Sequence, residues 1–320
     1  MGKPVSKTKL PPLGEYTQYL KHIWKNNWLT NNGELVQELE CNLKDYWKVK
    51  HVICVSSGTS AIQIALKALG IKEVYTSPYS FIATVAAPLW LGIRVKFLDL
   101  DENYYGSSLS THVYGIPHLV AGNPVIYDAS HAFAVKVNGH SIMNEGDISC
   151  VSFHAVKIFQ TVEGGAIVTN SDDLAEKARW MRNYGLKDRY TVMGAGMNAK
   201  MSEFHAAMGL CSLKGIDKRV KKYAKLIDRY NQKLGHDHKD VTYYPIYYSS
   251  ENKVLKAIKK FEKYDIYPRR YFYPPLNQIF SKTKCPIAEQ RMKTVLCLPL
   301  YYDLTQKDQN QIIKIAQETL

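Results

Sequence analysis

No stretch of this 320-residue chain stays apolar over the ~20 residues that a bilayer-crossing helix needs, so no membrane association is expected. The lysines of Met1 to Pro12 are not followed by an apolar core, and no secretory leader is expected either. Internal repeats and low-complexity linkers are missing. The six cysteines (Cys41, Cys54, Cys150, Cys211, Cys285, Cys297) are scattered, with no C-x-x-C pair, and several lie in apolar runs such as Val52-Ile53-Cys54-Val55. That pattern predicts buried, reduced thiols in a cytoplasmic protein and no metal centre. Zinc-finger, RRM and KH signatures are lacking as well. The formal charge of +13 is therefore read as a solvated surface or an anionic small-molecule substrate, not as a nucleic-acid interface. In the densest basic run, Lys253 to Lys263, Val254, Leu255, Ile258 and Phe261 recur at helical spacing with the lysines outside.

What is present is an ordinary globular composition, 46% hydrophobic and 22% charged. Over residues 51–169 short apolar runs alternate with helical stretches. His51–Val55, Glu73–Ser77, Val95–Asp99, Val125–Asp128, Ile148–His154 and Ala166–Thr169 read as buried strands. Ser57–Leu69 reads as a helix capped by Ser56 or Ser57, and Tyr79–Leu91 as a second, interrupted by Pro88. The alternation predicts an α/β domain with a mostly parallel sheet. Asp172 to about Leu234 is mainly helical, broken at Gly194-Ala195-Gly196. A smaller α+β unit follows, with a strand over Val241–Tyr248 and helices over Glu251–Tyr264 and Gln306–Thr319. The expected division is 1–220, an N-terminal segment with the large domain, and 221–320, a small C-terminal domain.

Four local features bear on chemistry. Ser56-Ser57-Gly58-Thr59-Ser60-Ala61 follows a strand and opens a helix, where free N–H groups and the positive dipole end suit a phosphate. Tyr127-Asp128-Ala129-Ser130-His131 stands at a strand's C-terminal end, the edge at which open α/β sheets bind ligands. Asp128 there can hold a heterocyclic nitrogen protonated or simply cap a helix. Lys157 lies just past a strand among apolar side chains, and burial would lower its pKa and make it a usable nucleophile for a Schiff base. Gly196-Met197-Asn198-Ala199-Lys200-Met201-Ser202-Glu203 reads as a loop and a capped helix.

Taken in order, these features resemble the DegT/StrS-type family of sugar-nucleotide aminotransferases. The likeness also takes in Leu29-Thr30-Asn31-Asn32-Gly33, Pro78 to Thr84, Thr111 to Gly115, Arg269-Arg270-Tyr271-Phe272-Tyr273-Pro274-Pro275-Leu276 and Leu298-Pro299-Leu300. The resemblance implies the fold-type I (aspartate aminotransferase-like) architecture and pyridoxal 5′-phosphate as cofactor, bound through Lys157. By the same likeness Gly58, Thr59 and Ser152 hold the cofactor phosphate, and Phe81 stacks on its ring. Asp128 pairs with the ring nitrogen, and His131 lies near the phenolic oxygen. Asn198 reaches the neighbouring subunit's phosphate, which implies a homodimer with shared sites. Glutamate is the implied amino donor.

Within the family the likeness is strongest to enzymes forming dTDP-4-amino-4,6-dideoxyglucose, a deoxysugar destined for O-antigen or another glycan. It points to Asn31, Asn32, Lys200, Arg270 and Tyr271 as substrate residues, with Arg269 beside Arg270 as a further cation for the diphosphate. A 3-keto or GDP-linked acceptor, or a non-catalytic cofactor-binding relative, stays open as an alternative. The pattern breaks between Asp101 and Asp128. Relatives place a helix, a strand and a helix there, and Glu102–Asn123 cannot hold both helices at ~10 residues each. One sheet face is therefore expected to be thinly covered, or covered by another element.

Overall fold

Apolar runs of four or five residues become the central sheet of the computed structural model, which describes residues 2–320. In chain order, a short strand β1 (Lys3–Pro4) precedes helices α1 (Leu13–Asn26) and α2 (Glu34–Trp47). The alternating region supplies β2 (His51–Val55), α3 (Gly58–Ala68), β3 (Glu73–Thr76), α4 (Ile82–Trp90), β4 (Arg94–Phe97), β5 (Ser108–Thr111) and β6 (Val125–Asp128). A small hairpin, β7 (Lys136–Val137) with β8 (His140–Ser141), leads to β9 (Ile148–Ser152) and β10 (Gly165–Thr169). Helices α5 (Asp172–Met181), α6 (Glu203–Lys214) and α7 (Ile216–Leu234) follow, and α7 runs continuously through residue 220. The remainder holds β11 (Tyr244–Tyr247), α8 (Glu251–Glu262), β12 (Ile266–Tyr267), α9 (Leu276–Phe280), α10 (Pro286–Thr294), β13 (Val295–Leu298) and α11 (Gln306–Thr319).

The seven-stranded sheet has the order β2-β10-β9-β6-β5-β3-β4. All its pairs are parallel except those of β10, which runs antiparallel to β2 and β9. A second sheet pairs β11 with β13, and β1 pairs with β12, so the chain's start packs against the C-terminal part. Among the described residues no helix is long and apolar enough to cross a membrane.

Successive strand residues face opposite sides, and here the two faces are covered differently. Ile53, Val55, Leu109, Ile126, Ile148 and Cys150 pack against Ile62, Ala65 and Leu66 of α3 and Ala175 and Ala178 of α5. On the other face, Val52, Cys54, Val151 and Val168 pack against α2 and α6. The β5–β6 half of that second face lies under a connecting segment that carries the 3₁₀ turn Val113–Gly115. It presents Ser108, Ser110 and Tyr127, all buried. The segment 112–123 lies directly on them. The His112 ring stacks on Tyr127 at 4.5 Å, His118 Nδ1 lies 2.8 Å from Ser110 Oγ, and the Val120 N–H donates to Tyr127 Oη at 3.1 Å. Serines in place of large apolar residues let a loop sit where a helix would otherwise stand, so the shortened face is covered by its own connecting segment.

Candidate active site

The C-terminal ends of β2, β5, β6 and β9 open into one cleft of about 320 Å³. Ser57 begins α3 with a capping box: its Oγ accepts the Ser60 N–H while Ser60 Oγ accepts the Ser57 N–H, each at 3.0 Å. The first turn of a helix leaves its leading N–H groups without intrahelical partners, and Gly58 and Thr59, the first two residues of α3, line the cleft. Gly58 is required there by close approach: a Cβ would come within 2.8 Å of the Ser152 Cβ on β9.

Asp128 ends β6 and is buried. Its Oδ1 accepts the Ser130 N–H at 3.1 Å and its Oδ2 accepts the Thr84 hydroxyl at 2.8 Å. His131, a turn later, is also buried, and its Nδ1 accepts the Tyr114 N–H at 3.2 Å. Burial, with Lys157 nearby, pushes the His131 pKa well below the usual imidazole range. It is therefore neutral, with its proton on Nε2. Lys157 follows β9. Burial lowers its amine to about 8, against the opposing pull of the Asp128 carboxylate. Its Nζ lies 5.7 Å from the Tyr243 ring centre.

The cleft therefore brings together Gly58, Thr59, Phe81, Asp128, His131, Ser152, Lys157 and Tyr271. Phe81, half exposed, is the N-cap of α4 at the mouth. Other residues named from the sequence stand elsewhere. Asn31, Asn32 and Lys200 line a separate cavity of about 390 Å³ with Arg179, Arg182 and Asn183. Asn32 Oδ1 accepts from Arg182 at 2.6 Å, and Lys200 donates to the exposed Asn198 at 2.7 Å. Arg270 turns away from the cleft, pairing with Glu251 at 2.6 Å and lying over Tyr273 at 3.7 Å. Arg269 lines the cleft instead, over Tyr271 at 4.9 Å.

Sequence reasoning missed Thr84, Thr111, Tyr243 and Phe272. Phe272 stacks on His131, with centroids 5.7 Å apart and planes inclined at 13°. These residues come from separate segments, and no local spacing marks them. Glu203, by contrast, serves packing: its carboxylate accepts the Leu35 and Val36 N–H groups at the start of α2, over Gly33, which leaves no room for a Cβ.

A mostly parallel sheet whose C-terminal edge joins an N–H cradle, a buried carboxylate and a desolvated lysine defines the fold-type I class of pyridoxal-phosphate enzymes. Within that class the chain belongs to the DegT/DnrJ/EryC1/StrS aminotransferase family, which it matches over residues 14–111 and 120–317. The matched blocks part at 112–119, within the segment that lies on the β5–β6 face. The family implies pyridoxal phosphate as the cofactor. A dTDP-4-amino-4,6-dideoxy-D-glucose transaminase of Shigella dysenteriae is 33% identical over 99% of this chain and 100% of its own length. Two solved structures share the fold. DesI in the presence of its TDP-sugar product has a TM-score of 0.91 at 23% identity, covering 99% of this chain and 92% of DesI. The PLP form of the sugar aminotransferase Spr1654 of Streptococcus pneumoniae has 0.89 at 17%, covering 100% of both chains.

Proposed function

We propose that this enzyme moves an amino group from glutamate to carbon 4 of dTDP-4-keto-6-deoxy-D-glucose. The products are dTDP-4-amino-4,6-dideoxy-D-glucose and 2-oxoglutarate. The supporting observation is that the desolvated Lys157 amine lines one cleft with the Asp128 carboxylate and the start of α3; the acceptor follows the near full-length likeness to the Shigella enzyme.

The donor set fits pyridoxal phosphate. The Gly58 and Thr59 N–H groups and the Ser152 hydroxyl suit its phosphate. Asp128 suits the ring nitrogen, the neutral His131 Nε2–H suits the phenolic oxygen, and Phe81 suits a ring face. When bound, the cofactor supplies an electron sink next to the carbon that gains or loses the amine. Lys157 anchors it and then, freed, moves a proton at Nζ, a task suited to an amine lowered to about 8. The Asp128 carboxylate keeps the ring nitrogen protonated. Arg269, with no carboxylate partner among the described residues, offers a cation to the substrates' anionic groups, and Tyr271 offers packing. Asn198, Lys200, Asn31 and Asn32, outside their own chain's cleft, serve the partner's cleft in a homodimer. Arg270 braces the Arg269–Tyr273 segment through Glu251. The part beyond residue 220 closes the cleft with Tyr243, Arg269, Tyr271 and Phe272.

Two measurements test this. Protein mixed with pyridoxal phosphate should gain a visible absorbance band that Lys157→Ala abolishes. Incubation with glutamate and the 4-keto sugar nucleotide should then yield the amino sugar by mass; no product with the band present would reject the acceptor.

A further inference from the structure

Thr84 stands in the first turn of α4, 44 residues before Asp128, and is completely buried. A helical threonine commonly returns its hydroxyl to a carbonyl one turn back. Thr84 instead directs its hydroxyl across to Asp128 Oδ2 at 2.8 Å. With Ser130 N–H on Oδ1, each carboxylate oxygen has one protein donor and retains lone-pair capacity for another. Phe81 caps the same helix, so one rigid element delivers both the aromatic plate and this hydroxyl. The titratable groups around Asp128 are Lys157 and His131, both lining the cleft with it, and Cys150 of β9; His154, Glu163, Tyr243, Arg269 and Tyr271 line the same cleft. Cys150 is neutral, its thiol pushed up by burial and by Asp128, and His131 is neutral as well. Lys157 is the cationic neighbour of the Asp128 carboxylate. The Thr84 hydroxyl and the Ser130 N–H are the two hydrogen-bond donors that hold the carboxylate among the described residues.

We propose that Thr84 is a positioning residue for transamination: its hydroxyl, with the Ser130 N–H, keeps the Asp128 carboxylate aimed at the place of the cofactor's ring nitrogen. This rests on the assignment of Asp128 to that nitrogen. Without the Thr84 donor the carboxylate is free to turn, and its pairing with the ring nitrogen weakens.

The test uses the full chain loaded with pyridoxal phosphate, as wild type, Thr84→Val, Thr84→Ser and Asp128→Asn. Valine keeps the shape and removes the donor. It is expected to raise the dissociation constant for pyridoxal phosphate about tenfold. It is also expected to move the pH midpoint of the visible band up by about one unit, because a less positive ring repels the proton on the linked Lys157 nitrogen less. Serine, which restores the donor, should return both values toward wild type. Wild-type values in Thr84→Val would overturn the proposal. So would a Thr84→Ser protein that behaves like Thr84→Val, since the methyl group's packing would then be responsible. If Asp128→Asn leaves the band and its midpoint unchanged, the Asp128 assignment itself fails and this inference falls with it.

Discussion

Arg269 and Arg270 are chemically identical neighbours with opposite fates. Arg269 pairs its backbone with Cys297, so the segment is extended there and consecutive side chains leave on opposite sides. One guanidinium enters the cleft and the other is locked between Glu251 and Tyr273. Nothing in a run of two arginines says which is which; the register against Cys297 decides it. Arg269→Gln should therefore raise KM for glutamate or the sugar nucleotide about tenfold, as loss of a charge-assisted contact does, with the melting temperature nearly unchanged. Arg270→Gln should do the reverse, lowering thermal stability while leaving KM close to wild type. Lys157 gives a second expectation. Only its neutral amine can attack the cofactor's carbonyl. With the amine at about 8, the rate of cofactor uptake should fall about tenfold for each pH unit below that value and level off above it. Stopped-flow absorbance measures this directly, and a rate still climbing steeply beyond pH 9 would contradict it.

Strands and helices with strong apolar patterning were legible: β2, β6, β9 and β10 lie where buried runs place them, and α3 starts at the serine expected to cap it. Among the strands of the central sheet, the one that escaped notice is β5. Its Ser-Leu-Ser-Thr sequence offers one apolar residue, and its serines make sense only once the 112–123 segment is seen lying on them. That cover has an electrostatic consequence. Burial lowers His112 to about 3, helped by His118, and His112 Nε2 has no protein partner. A histidine neutral in the fold but free to protonate near 6.5 when unfolded contributes stability that is present above 6.5 and lost as pH falls toward 3. The loss approaches about 1.4 kcal/mol per pH unit for each such group, and His131 adds to it through the same sign. Urea melts at pH 7.5 and 5.5 should show a marked drop in midpoint. His112→Phe retains the ring stacked on Tyr127 but cannot take a proton. It should start lower by about 1 kcal/mol, having lost the acceptor for the His118 N–H, and then lose less on acidification. An equal acid loss in the variant would remove His112 from the account.

At the scale of the whole molecule, two clusters that the sequence treats as one site lie in different cavities of a single chain. Lys157, Asp128 and Ser152 share one cleft, whereas Asn31, Asn32 and Lys200 line another, with Asn198 exposed beside them. A chain acting alone would leave the second set without a role in the chemistry. The proposed two-fold dimer, in which the same patch of each subunit meets the other, would give the second set a role by lending each cleft the partner's Asn198. The arrangement makes a prediction that no monomeric enzyme could satisfy. Lys157→Ala and Asn198→Ala chains should each be nearly inactive alone. Unfolded together and refolded, about half of the dimers would be mixed by random pairing. Each mixed dimer has one site with an intact Lys157 from one chain and an intact Asn198 from the other, and one site lacking both. Activity should therefore recover to about a quarter of wild type, and the visible absorbance should follow the Asn198→Ala chain, which alone retains the lysine. If Asn198 acts on its own chain's cleft, every site in the mixture lacks one residue or the other, and mixing restores nothing.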